Sequence, residues 1–98
     1  MIGVREKLAQ ARLYGIADLG YLDPGQLVEV AGDLLEGGVE VLQLRAKGWG
    51  EPDINTMARA LLPLCRRHAV PFVVNDFPAV ALEVGADGVH LGQDDGSL

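Results

Sequence analysis

Four short apolar runs alternate with three stretches of helical periodicity, and few architectures accommodate that order. The runs cover residues 13–17, 39–44, 71–74 and 87–91. Between the first two, Asp23-Pro24 signals a helix start: aspartate is placed to cap, and proline suits the first helical position. Leu27, Val28, Val30, Ala31, Leu34 and Leu35 then recur at helical spacing until Gly37-Gly38 stops them. A longer helix is predicted over residues 51–68, with Ile54, Met57, Ala58, Leu61, Leu62 and Cys65 on its core face. Pro63 falls inside that pattern and is expected to kink the helix or interrupt its hydrogen bonds. Pro78 opens a third helix that Gly85 closes, and a weak leading helix is read over residues 4–11. Strand–helix alternation implies parallel strands joined by right-handed crossovers, hence an α/β fold. The runs are apolar almost throughout, as strands covered by helices or enclosed in a barrel must be.

That order gives the polar residues their meaning, because many fall where a strand should end. Gln43, Arg45 and Lys47 follow the second run, Asn75 and Asp76 the third, and Asp94 and Asp95 the fourth. In parallel α/β folds, sites form at this edge, where strand ends and their following loops converge. Gln43, Arg45 and Lys47 share one side if extension persists, a grouping suited to gripping a polar anion. Neighbouring strands lie about 4.8 Å apart, so carboxylates ending the third and fourth could share one cation. Magnesium suits such a pair, since it takes one or two carboxylates and leaves positions for water and substrate phosphate.

Each residue also has a plainer reading. Asp76 precedes Phe77-Pro78 and could start a helix, Asn75 could satisfy turn backbone, and Asp94-Asp95 could simply be solvated. His90 reads as an interior histidine, Trp49 as a packing residue or loop cover, and Cys65 as core. A formal net charge of −6 argues against nonspecific binding to nucleic acid or an anionic membrane. One cysteine cannot form an internal disulfide, residues 1–12 lack the apolar centre of a signal peptide, and no run approaches a membrane span. A cytoplasmic protein is expected.

Taken in order, Gln43-Leu44-Arg45-Ala46-Lys47, then Val73-Val74-Asn75-Asp76, then Gly85-Ala86-Asp87-Gly88-Val89-His90-Leu91-Gly92-Gln93-Asp94-Asp95 closely resembles thiamine-phosphate synthase. The resemblance implies a (β/α)8 TIM-barrel fold. It implies a magnesium-dependent reaction joining hydroxymethylpyrimidine diphosphate to thiazole phosphate, giving thiamine phosphate and pyrophosphate. Carried to matching positions, Gln43, Leu44, Arg45, Ala46, Lys47 and Asn75 would bind the pyrimidine diphosphate, with Arg45 and Lys47 on its phosphates as catalytic groups. Asp76 and Asp95 would be magnesium ligands, with Asp94 ranked below Asp95. The family's first motif has glutamate where this chain has Ala46, so an orienting carboxylate is missing.

An eight-stranded barrel needs about 200–250 residues, and this chain of 98 shows four strands. Residues 1–98 therefore read as a single partial domain, the N-terminal half of such a barrel. The remainder would come from a longer product, a second copy or a separate chain. Half a barrel is expected to expose sheet edges and an apolar face, and to show little synthase activity alone. Two alternatives remain: the related thiazole tautomerase, which has no need of a metal pair, and a non-catalytic half-barrel that binds ligand or self-assembles.

Overall fold

A computed structural model describes residues 13–91. Its elements run β1 (Tyr14–Asp18), a 3-10 turn (Pro24–Gln26), α1 (Leu27–Glu36), β2 (Val41–Arg45), α2 (Glu51–Arg67), β3 (Phe72–Asn75), α3 (Pro78–Val84) and β4 (Gly88–His90). The predicted leading helix and Asp94-Asp95 lie outside the described residues. Among those described, no helix is long and apolar enough to cross a membrane.

All neighbouring strands are parallel, in the order β1-β2-β3-β4. Each strand thus pairs with its predecessor in sequence, and each intervening helix returns the chain to the same end of the sheet. Alternation then divides the side chains between two faces. Ala17, Leu42, Leu44, Phe72 and Val74 form the core with the helices. The helices contribute Leu27, Ala31 and Leu35 from α1, Ile54, Ala58, Leu61 and Cys65 from α2, and Val80, Ala81 and Val84 from α3. These are one-face spacings, so each helix buries a stripe and leaves its other side to solvent.

Several boundaries differ from expectation by one to three residues. The chain after Asp23-Pro24 makes a 3-10 turn before α1 begins at Leu27, with the Asp23 N–H donating to Gln26 Oε1 at 3.1 Å. Helix α2 continues through Pro63, whose ring lies on the exposed side. Gly15 allows β1 to approach Val39: a Cβ at position 15 would fall 2.9 Å from Val39 Cγ1.

The opposite face of the sheet carries Tyr14, Ile16 and Asp18 from β1, Val41, Gln43 and Arg45 from β2, Val73 and Asn75 from β3, and His90 from β4. Val41, Gln43, Val73 and Asn75 are buried, whereas Tyr14 and Ile16 are 45% and 48% exposed. Tyr14 and Ile16 thus leave the β1 side of this face open to solvent.

Candidate functional site

Two pairings bring four polar residues to one rim. Asp18 is opposite Arg45, and Asn75 is opposite His90. One step beyond the Leu44–Val74 pair, Arg45 and Asn75 end the neighbouring strands β2 and β3. Parallel strands all finish at the same edge, so Asp18, Arg45, Asn75 and His90 form a polar row across the sheet's C-terminal rim.

Arg45 is held from its side. Its Nη1 lies 3.6 Å from Asp18 Oδ2, while the Leu19 N–H donates to the Arg45 carbonyl at 2.8 Å. The β1–β2 ladder therefore continues one residue past the strand and anchors the base of the arginine. Gln43 precedes it on the same face and is buried. Leu44 and Ala46 are buried in the helix-facing core, so their side chains point away from the rim and they can meet a ligand there only through backbone. Extension does not persist to Lys47: β2 stops at Arg45, and residues 47–48 turn, closed by the Trp49 N–H donating to the Ala46 carbonyl at 3.2 Å. Lys47 is thus presented by a turn rather than by the strand. Trp49 packs against the core cluster half-buried, as a loop cover would.

At the end of β3, Asn75 Nδ2 donates to Asp76 Oδ2 at 3.0 Å. Asp76 adopts a left-handed backbone conformation with φ of 69°, unusual outside glycine although aspartate tolerates it better than most residues. Its N–H donates to the His90 carbonyl at 2.8 Å, fixing the tip of β3 to β4. The helix-start reading of Asp76 does not hold, because the residue that caps α3 is Phe77. His90 is exposed rather than interior, since β4 is the last described strand and nothing among the described residues covers that end.

Among the described residues, no group of three or more histidine, cysteine or acidic side chains is placed to hold a metal ion. Asp76 offers one oxygen ligand at the rim, and Asp95, the second expected ligand, lies outside the described residues. A carboxylate outside any such cluster among the described residues fits magnesium chemistry better than zinc chemistry, because magnesium takes oxygen ligands and keeps waters and phosphate oxygens in its shell.

The opposite rim serves structure. Asp87 Oδ2 accepts from Arg66 Nη1 and from the Phe72 N–H, both at 2.7 Å, and Arg66 Nη2 donates to the Gly85 carbonyl at 3.0 Å. A hollow of about 390 Å³ opens there beside Cys65, Arg66 and Pro71. Burial pushes the Cys65 thiol up to about 12, with the Asp87 charge adding to the rise and Arg66 opposing it. Asp87 belongs to the glycine-rich segment that resembles the family, yet it lies away from the site. Asp18 was readable only as the end of the first strand; its register with Arg45 is what marks it.

The thiamine monophosphate synthase family model matches residues 13–98. A thiamine-phosphate synthase from Wolinella succinogenes is 44% identical over 84 residues, which are 85% of this chain and 39% of the relative. One from Thermus thermophilus is 49% identical over 76 residues, 74% of this chain and 37% of the relative. The solved thiamine phosphate pyrophosphorylase from Pyrococcus furiosus superposes with a TM-score of 0.74 at 34% identity, covering 89% of this chain and 40% of that one. The chain spans about two fifths of the length of these relatives.

Proposed function

The chain belongs to the thiamine monophosphate synthase family, and on that premise we propose that it carries the pyrimidine-diphosphate half of a thiamine-phosphate synthase site. The reaction joins hydroxymethylpyrimidine diphosphate to thiazole phosphate in the cytoplasm, and these residues form the N-terminal half of the barrel that performs it. The carrying observation is the emergence of Arg45 and the Asn75–Asp76 pair from adjacent strand tips on one rim.

The carbon–oxygen bond between the pyrimidine methylene and its diphosphate breaks, and its electron pair leaves with pyrophosphate. The electron-rich aminopyrimidine supports positive charge at the methylene until the thiazole nitrogen supplies a new electron pair. No protein nucleophile is required. Arg45 gives the phosphate oxygens a forked donor, and Lys47 adds a point charge from its turn. Both act on charge that grows as pyrophosphate departs, where electrostatic stabilisation is most effective. Gln43 and Asn75, buried at the base of the rim, orient the pyrimidine and exclude water beneath it. Asp76 and Asp95 would hold magnesium, which when bound supplies positive charge to the diphosphate oxygens.

Calorimetry with hydroxymethylpyrimidine diphosphate, with and without magnesium, tests the reading. Magnesium-dependent binding is expected, with losses of about tenfold or more in Arg45→Ala and Asp76→Ala. Unchanged binding in both variants overturns it.

A further inference from the structure

The Asp18 carboxylate sets a negative group beside a rim assigned to an anion, and its geometry explains the placement. Oδ1 accepts from the Gly20 N–H at 2.8 Å, and Oδ2 faces Arg45 Nη1 at 3.6 Å. The backbone around it is also fixed, because the Asp18 carbonyl accepts from the N–H groups of Tyr21 and Leu22 at 3.0 and 3.1 Å. Gly20 leaves room for the carboxylate: a Cβ there would sit 3.1 Å from Oδ1. Asp18 is consequently a braced acceptor with one oxygen committed to backbone and the other directed at the arginine. The side chain of Asp18 is 18% exposed, against 36% for Arg45, so the braced partner is the less accessible of the two.

We propose that Asp18 is a positioning residue that holds the Arg45 guanidinium at the strand tip, oriented to receive a phosphate oxygen. The proposal rests on the diphosphate reading of this rim. An arginine on a strand end otherwise samples many rotamers, and fixing it on binding costs affinity. Pairing with Asp18 restricts that motion beforehand. At 3.6 Å the contact is an ion pair rather than a tight hydrogen bond, so Asp18 orients the guanidinium through charge. An exposed ion pair of this kind adds little to stability, so its effect should register in the order of Arg45 rather than in the fold.

Asp18→Asn keeps an oxygen for Gly20 and removes the charge facing Arg45. In the full 98-residue chain, ¹⁵N relaxation of the Arg45 Nε–H is expected to report an ordered side chain that becomes mobile in Asp18→Asn, with backbone amide spectra preserved elsewhere. Titration with inorganic pyrophosphate and magnesium should show about a fivefold weaker Kd in Asp18→Asn. In an Arg45→Ala background, Asp18→Asn should change nothing further. Equal order of Arg45 in both proteins, or unchanged or tighter pyrophosphate binding in Asp18→Asn, overturns the proposal; tighter binding would mean that Asp18 acts only by repulsion. If the unsubstituted chain shows an ordered Arg45 yet binds no pyrophosphate, the diphosphate site itself is overturned, and the relaxation data still decide whether Asp18 orders the guanidinium.

Discussion

At Cys65, the thiol is enclosed by the α2 core face, and its elevated proton affinity follows first from that burial. The thiolate attacks disulfide reagents, so a pKa of about 12 leaves very little reactive form near neutrality. Labelling by an aromatic disulfide at pH 8 should run at least about 100-fold slower than for the denatured chain. The same shift has a stability sign. Because the folded value lies above the ordinary 9.0, the stabilisation is complete below pH 9 and is lost as pH rises toward 12. Denaturant titrations across that window should show a falling component that Cys65→Ala lacks. Cys65 was legible as core from its helical spacing, as were most apolar residues. Arg45 and Asp76 were legible as strand-end polar groups, because each follows an apolar run where a parallel strand finishes. Asp18 and Asp87 were not, since a lone aspartate shows neither its register partner nor which rim it occupies. The shared side of Lys47 was conditional on continued extension, and Gly48, with φ of 89°, lets the chain turn before strand alternation extends that far.

Helix α2 shows why element boundaries are harder to read than element type. Pro63 removes a donor to the Arg59 carbonyl, yet the helix persists because Ile54, Ala58, Leu61 and Cys65 are all fully packed on its other side. Tertiary burial outweighs the local penalty, and that penalty should be recoverable. Pro63→Ala is expected to stabilise the chain by about 1–2 kcal/mol, measured by urea unfolding, after allowing for the looser unfolded chain. Asp87 acts between elements, tying the end of α2 to the start of β3. Asp87→Ala strips the Phe72 N–H and Arg66 of a charged acceptor, and a loss of about 2–3 kcal/mol is expected in the same assay. The order of strands and helices was legible from their alternation. The 3-10 entry into α1 was not, since Asp23-Pro24 marks a helix start without fixing its pitch.

Across the molecule, the two faces of the sheet have unequal fates. The helix side is closed, while Tyr14 and Ile16 stand almost half exposed on the other. Such a face should bind a hydrophobic dye such as anilinonaphthalene sulfonate, and Ile16→Lys should reduce that fluorescence with little loss of stability, since little burial is surrendered there. A dye signal unchanged by Ile16→Lys would locate the exposed patch elsewhere. The parallel architecture was readable from sequence because short apolar runs linked by helices favour parallel strands joined by crossovers; the polar row required registers that no run reveals by itself. The strand order has a kinetic consequence. Among the described strands, each docks on the one synthesised before it, so this part of the sheet can grow in the direction in which a ribosome releases the chain.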